Sequence, residues 1–294
     1  MQHVVSAPRA PMSVDAGGAA TLHQVPFWTD NFTWLLVCEA TGEAAAIDGG
    51  VAEPVLEYVE AHGLRLTTIL TTHTHPDHIG LHKALDKAER LGALRVVGSR
   101  SRLGTIPGLD GPKGEPVDEG DVVRLGALEG QVMLTEGHID GHVSYRFGEL
   151  LFCGDTLFAG GCGYLFDGPA ATMHASLQRL AGLPESTKVV CAHEYTQDNL
   201  RFAWSVEPDN AALAERIREV WAIRARGEST VPSTIGLERA TNPFLRVDSP
   251  TILASLRAGS PEASLNDGAE AFAALRALKD GKAYKQLPES NLPL

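Results

Sequence analysis

Thr71-Thr72-His73-Thr74-His75-Pro76-Asp77-His78 puts four ligand-type side chains within six residues, directly after the apolar run Leu66 to Leu70. Neutral imidazole and carboxylate are the donors that borderline ions such as zinc, iron(II) and manganese accept, and catalytic sites leave one coordination position to water. Leu66 to Leu70 reads as a short buried strand. If that strand continues to His75, alternation points His73 and His75 to one side, while a turn at Pro76 swings Asp77 and His78 toward a neighbouring ion. One segment then feeds two metals. The plainer reading is a solvated histidine-rich loop; the apolar strand that abuts the run argues against it.

Outward from this run the pattern is that of a layered α/β domain. Upstream, Trp34 to Cys38, a Thr41-Gly42 turn and Ala44 to Ile47 predict a hairpin ending in Asp48-Gly49-Gly50, followed by a helix that starts near Glu53-Pro54 and stops at Gly63. Downstream, strands are expected at 95–97, 122–125, 131–135, 143–147, 150–153 and 188–191, with helices near 81–91 and 172–180. Gly137-His138, Gly154-Asp155-Thr156 and Ala192-His193-Glu194 each sit just past one of these strands. Read alone, Asp155 is a turn or cap residue and His193 a packing histidine. Their shared position at strand ends, where α/β sheets present functional groups, makes them candidate ligands.

After Tyr195 the strand pattern gives way. Leu213, Ile217, Val220, Trp221 and Arg224 mark an amphipathic helix entered through Pro208-Asp209-Asn210, the start of a mainly helical lobe. The chain of 294 residues is 44% hydrophobic and 21% charged, enough for one large core plus an appendage. Its net charge of -12 argues against nucleic-acid binding, which needs clustered cations, and favours a small-molecule substrate. Cys38, Cys153, Cys162 and Cys191 form no C-x-x-C pair, so reduced thiols are expected. No apolar stretch approaches the roughly 20 residues of a spanning helix, and residues 1–18 lack the apolar core of a signal peptide. These features predict a soluble cytoplasmic protein with a loose extension over 1–18.

The T-H-x-H-x-D-H run, Gly137 to His142 (G-H-x-x-G-H), Gly154 to Phe158 (G-D-T-L-F) and His193 to Thr196 (H-E-Y-T) resemble the metallo-β-lactamase superfamily and, within it, glyoxalase II, the hydroxyacylglutathione hydrolases. Further similarity lies in Pro26, Asp30-Asn31-Phe32, Trp34, Gly161-Cys162-Gly163, Asn199-Leu200, Phe202-Ala203, Val206 to Pro208, Asn210, Pro232 to Gly236 and Asn242 to Arg246. The resemblance runs from about Pro26 to about Lys282. It implies a four-layer αββα sandwich over 19–196 and a helical substrate-binding domain over 197–294. His73, His75 and His138 would hold one divalent ion, Asp77, His78 and His193 a second, and Asp155 would bridge them; zinc is expected first, iron or manganese next.

Two such ions lower the pKa of a shared water and polarise a carbonyl, so Asp77, His78 and Asp155 are expected to serve catalysis through the metals. None of the serines lies in a G-x-S-x-G elbow that would offer a rival nucleophile. The implied reaction is thioester hydrolysis of S-D-lactoylglutathione to glutathione and a 2-hydroxy acid, a step of methylglyoxal detoxification, in a monomer or small homo-oligomer. By resemblance Arg276 and Lys279 clamp a glutathione carboxylate and Tyr195 contacts substrate; from charge pattern alone the pair is a solvated helix face. Cys162 reads as a packed small residue. At Gly163-Tyr164-Leu165-Phe166 the chain departs from the family, which usually has Lys or Arg where Tyr164 stands. Loss of that charge-assisted contact costs about 1.5–3 kcal/mol of binding. The alternatives are a fold relative acting on another thioester, a lactonase, a one-iron persulfide dioxygenase, and a non-catalytic binding module.

Overall fold

The computed structural model describes residues 2–259 and 262–294. Contacts divide the chain into two compact units, the first made of Met1–Thr135, Gly141–Gly154 and Val190–His193, the second of Glu136–Asp140, Asp155–Val189 and Glu194–Leu294.

In the first unit a seven-stranded sheet runs β1 (Met12–Asp15), β2 (Ala19–Phe27), β3 (Asn31–Cys38), β4 (Glu43–Ile47), β5 (Arg65–Leu70), β6 (Arg95–Ser99) and β7 (Gly114–Val117), in space as in sequence. β1 to β4 are antiparallel neighbours and β4 to β7 are parallel. Parallel pairs need a crossover, and α1 (Ala52–Ala61) and α2 (Pro76–Lys87) supply two of them. The period of two in the strands meets the period of 3.6 in these helices: Leu35, Ala46, Ile69 and Val96 join Val55, Leu81 and Leu85 in one buried cluster. Each Val, Leu or Ile side chain among them contributes about 1.5–3 kcal/mol on burial. On the opposite face Trp34 donates its indole N–H to the Cys191 carbonyl at 2.8 Å.

A second sheet in this unit orders β8 (Val122–Leu125), β9 (Leu128–Leu134), β10 (Val143–Phe147) and β11 (Leu150–Gly154), all antiparallel. β11 is buried at every residue, which explains its unbroken apolar run.

In the second unit β12 (Leu157–Phe158) and β13 (Gly161–Cys162) form a short hairpin. α3 (Ala170–Ala181) follows, then β14 (Lys188–Cys191), of which only Lys188 and Val189 belong to this unit and pair with β15 (Ser233–Thr234). The helices α4 (Thr196–Val206), α5 (Ala211–Ala225), α6 (Ile235–Thr241), α7 (Pro250–Gly259) and α8 (Gly268–Asp280) complete the unit. Asn210 caps α5 by accepting from the Leu213 amide at 3.0 Å, and Leu213, Ile217 and Val220 pack on Leu200 and Ala203.

The structure departs from four expectations. β5 ends at Leu70, so His73 and His75 do not lie on a strand; His75 is the residue before α2, which begins at Pro76 rather than near 81. Proline suits the first helical position and holds the residue before it extended, and His75 has φ -63° and ψ 150°. Part of the segment expected as a loose extension is β1, whose four residues pair with Ala19 to Leu22. Beyond Tyr195, among the described residues, one short strand, β15, persists. Among the described residues no helix is long and apolar enough to cross a membrane. The four cysteines are buried and none forms a disulfide.

Candidate metal centre

The turn from β5 into α2 carries His73 in the loop, His75 at the helix cap, and Asp77 and His78 in the first helical turn. His73, His75, His138 and Asp155 form one group and Asp77, His78 and His193 another; within each, one ligand atom from every member lies within 4.8 Å of the rest. His73, His78, His138, Asp155 and His193 are all buried. Neither group contains a Lys or Arg. Imidazoles gathered this closely away from water would repel one another if protonated, so a divalent cation, for which this nitrogen and oxygen donor set is suited, fits both groups. The groups are a candidate dinuclear metal site.

In the first unit His78 is oriented by Asp48. The His78 Nδ1 donates to Asp48 Oδ2 at 2.9 Å, and the same carboxylate accepts the Thr72 amide and hydroxyl, each at 2.8 Å. A carboxylate can only accept here, so the proton sits on Nδ1 and the Nε2 lone pair is presented to the site. Nε2 of His78 and Nε2 of His193 both stand 3.5 Å from Asp77 Oδ2, while Asn31 Nδ2 donates to that oxygen at 2.9 Å. Asp48 adopts φ 61°, a left-handed backbone rarely taken by a residue other than glycine, and strain of this kind costs of order 1–3 kcal/mol.

In the second unit His138 Nδ1 donates to the Tyr164 carbonyl at 2.7 Å, so its Nε2 carries the lone pair, 3.5 Å from Asp155 Oδ2. Gly163 makes this approach possible: a Cβ there would overlap the Asp155 carbonyl and lie 2.9 Å from His138 Nδ1. His82 is no part of the groups. It is wholly buried, bonds Thr71 Oγ1 at 2.8 Å, and burial pushes its pKa down to about 3, so it stays neutral.

Of the residues expected to meet substrate and their neighbours, Tyr164 and Phe166 are 51% and 60% exposed, with ring centroids 4.9 Å apart. Phe166 stands edge-on to His138 at 5.3 Å. Tyr195 precedes α4 and its ring meets Phe158 edge-on. Arg276 and Lys279, one turn apart on α8, are buried rather than on a solvated face. Arg276 donates to Asp280 Oδ1 at 2.5 Å and to the Cys162 carbonyl at 3.2 Å; Lys279 Nζ donates to Asn199 Oδ1. Burial first, then the Arg276 charge, lowers the Lys279 pKa to about 7. Burial raises the Cys162 thiol despite Arg276 beside it, so it is a poor nucleophile.

Sequence reasoning assigned no work to Asp48, although the Asp-Gly-Gly at the end of β4 was its visible signal. Asn31 was noticed only as part of a resemblance.

A model described as "Metallo-beta-lactamase superfamily" matches residues 28–193, and one described as "Hydroxyacylglutathione hydrolase C-terminus" matches 194–281. The hydroxyacylglutathione hydrolase of Gloeobacter violaceus is 47% identical over 261 residues, covering 88% of this chain and 98% of that protein. That of Methylococcus capsulatus is 46% identical over 260 residues, covering 87% and 96%. Among solved structures, ETHE1 from Myxococcus xanthus superposes with TM-score 0.59 at 26% identity, covering 92% of this chain and 93% of that one. The mixed sheets with their helices are thus the metallo-β-lactamase fold, and the chain belongs to the hydroxyacylglutathione hydrolase family.

Proposed function

We propose that the chain hydrolyses S-2-hydroxyacylglutathione thioesters, S-D-lactoylglutathione foremost, to glutathione and a 2-hydroxy acid. The carrying observation is the pair of buried His and Asp groups in a chain whose helical end matches the hydroxyacylglutathione hydrolase C-terminus. In this assignment His73, His75 and His138 would hold one ion and Asp77, His78 and His193 the other, with Asp155 as the ligand shared between them and zinc as the metal expected. The bound ions supply an activated water and a polarised thioester carbonyl at neutral pH. A thiolate leaves readily, so no general acid is required of the chain.

The protein's own residues orient and bind. Asp48 and the Tyr164 carbonyl fix the tautomers of His78 and His138. Residues 197–294 act as the substrate-binding domain and 19–196 as the catalytic domain, with 1–18 as an accessory segment. Arg276 and Lys279 hold a glutathione carboxylate, where a buried cation gives a stronger hydrogen bond than an exposed one, and Tyr195 contacts the same half of the substrate. The setting is the cytoplasm, with the protein a monomer or small homo-oligomer.

A second reading has one observation in its favour: half-exposed Tyr164 beside His138 offers no cation to the thiol half, which suits a thioester of a less anionic thiol. Steady-state hydrolysis of S-D-lactoylglutathione beside non-glutathione thioesters, with protein of measured metal content, separates the two. A clear kcat/KM advantage for the glutathione ester supports the first; equal values remove glutathione and leave the metallohydrolase.

A further inference from the structure

Residues 155–163 are buried throughout, although they form a turn with only a two-residue strand on either side. Hairpins this short do not hold their own shape, and turns normally lie at the surface, where water satisfies their peptides. Here successive peptide groups are each met by a side chain from the helical segment. Asn199 Nδ2 donates to the Ala159 carbonyl at 3.0 Å. Glu238 Oε2 accepts the Gly160 amide at 2.7 Å. Asn242 Nδ2 donates to the Gly161 carbonyl at 2.9 Å and the Phe158 carbonyl at 3.3 Å, and to Glu238 Oε2 at 3.0 Å. The other Glu238 oxygen is held by Arg216 Nη2 and Ser233 Oγ.

Glu238 and Asn242 are wholly buried, Arg216 nearly so. Packed apolar residues hold a fold at least as well as a buried ion pair does, so the pair is better accounted for by the geometry it enforces than by stability. Asp155 lies two residues before β12; Tyr164, whose carbonyl accepts the hydrogen bond from His138 Nδ1, lies two residues after β13. The hairpin is therefore flanked on one side by a ligand-type carboxylate and on the other by the group that orients a ligand-type imidazole.

We infer that Glu238 and Asn242 are positioning residues for Asp155 and His138, acting through the β12–β13 hairpin. The inference rests on the metal assignment proposed above. Loss of either grip lets the turn relax, moving the Asp155 carboxylate and the Tyr164 carbonyl together, so one ion weakens while the one served by Asp48 and His78 is retained.

The test uses full-length protein carrying E238Q, N242A or, as a control, T241V. Thr241 bonds Arg216 and the Leu237 carbonyl in the same network, and no hairpin contact is among its hydrogen bonds. Zinc affinity for each of two equivalents is measured by chelator competition, together with melting of the metal-free protein and kcat and KM for S-D-lactoylglutathione. E238Q and N242A are expected to weaken one zinc equivalent by about 10–100-fold and lower kcat, with KM within about twofold of the parent. T241V lowers the melting temperature and leaves both zinc affinities unchanged. Folded variants that keep both affinities and the parental kcat overturn the inference. Should E238Q fail to fold because Arg216 is left uncompensated, N242A, which removes no charge, decides alone. Variants that lose one zinc equivalent in a protein that hydrolyses no thioester leave the positioning role standing and sink the functional proposal.

Discussion

His78 Nδ1 and Asp48 Oδ2 stand 2.9 Å apart with both side chains almost wholly buried. The contact fixes which imidazole nitrogen faces the Asp77 group. D48N keeps the shape and tolerates the left-handed backbone at this position, so it isolates the charge. It is expected to lower zinc affinity at one site and kcat by about 10–100-fold, with circular dichroism unchanged. Unaltered zinc titration in D48N would show that the histidine needs no orienting carboxylate.

Lys279 gives the substrate side a pH signature. Its pKa lies near 7 instead of 10.5, because burial and Arg276 disfavour the charge. The charged form binds a carboxylate, so KM for the glutathione thioester should be lowest below about pH 7 and rise above it, and K279M should flatten the rise. Stability carries the opposite trend. Between about pH 7 and 10.5 the unfolded chain holds a proton that the folded chain lacks, so this group's destabilising contribution, complete below 7, fades as pH rises. Denaturant melts of parent and K279M across that window measure it.

Tyr164 tests the thiol half. At 51% exposure it can be replaced without opening a core. Y164K restores a cation and is expected to lower KM for the glutathione ester by one to two orders of magnitude, the worth of about 1.5–3 kcal/mol, with kcat and zinc content unchanged. No change in KM would place the glutathione carboxylates away from this loop.

Chelation should abolish hydrolysis without unfolding the protein, since β5 and α2, which flank His73 to His78, have their own core of Leu81, Leu85, Ile69 and Val96. Zinc or manganese added back should restore activity; far-ultraviolet circular dichroism before and after checks the fold.

Much of this was legible in the sequence for a local reason. His73 to His78 share one short stretch, and His138, Asp155 and His193 follow strands whose apolar runs are hard to mistake. What escaped notice depends on distance or on a broken pattern. Asp48 meets His78 across 30 positions, and Glu238 meets Gly160 across 78. β2 is interrupted by His23, Gln24 and Pro26, and β7 reads as a turn because Gly114 and Pro116 lie in it; proline is tolerated there because β7 is an edge strand. The sequence places a turn at Pro76, and in the structure that residue opens a helix.

That opening proline also ties the two groups together mechanically. His75 precedes it and Asp77 follows it, so one member of each group is spaced by backbone of fixed length, about 3.8 Å per residue, with no flexible linker between. A tilt of the first turn of α2 carries both at once. Exchanging one metal for another can then change bond lengths within a group, while the offset between the groups belongs to the chain.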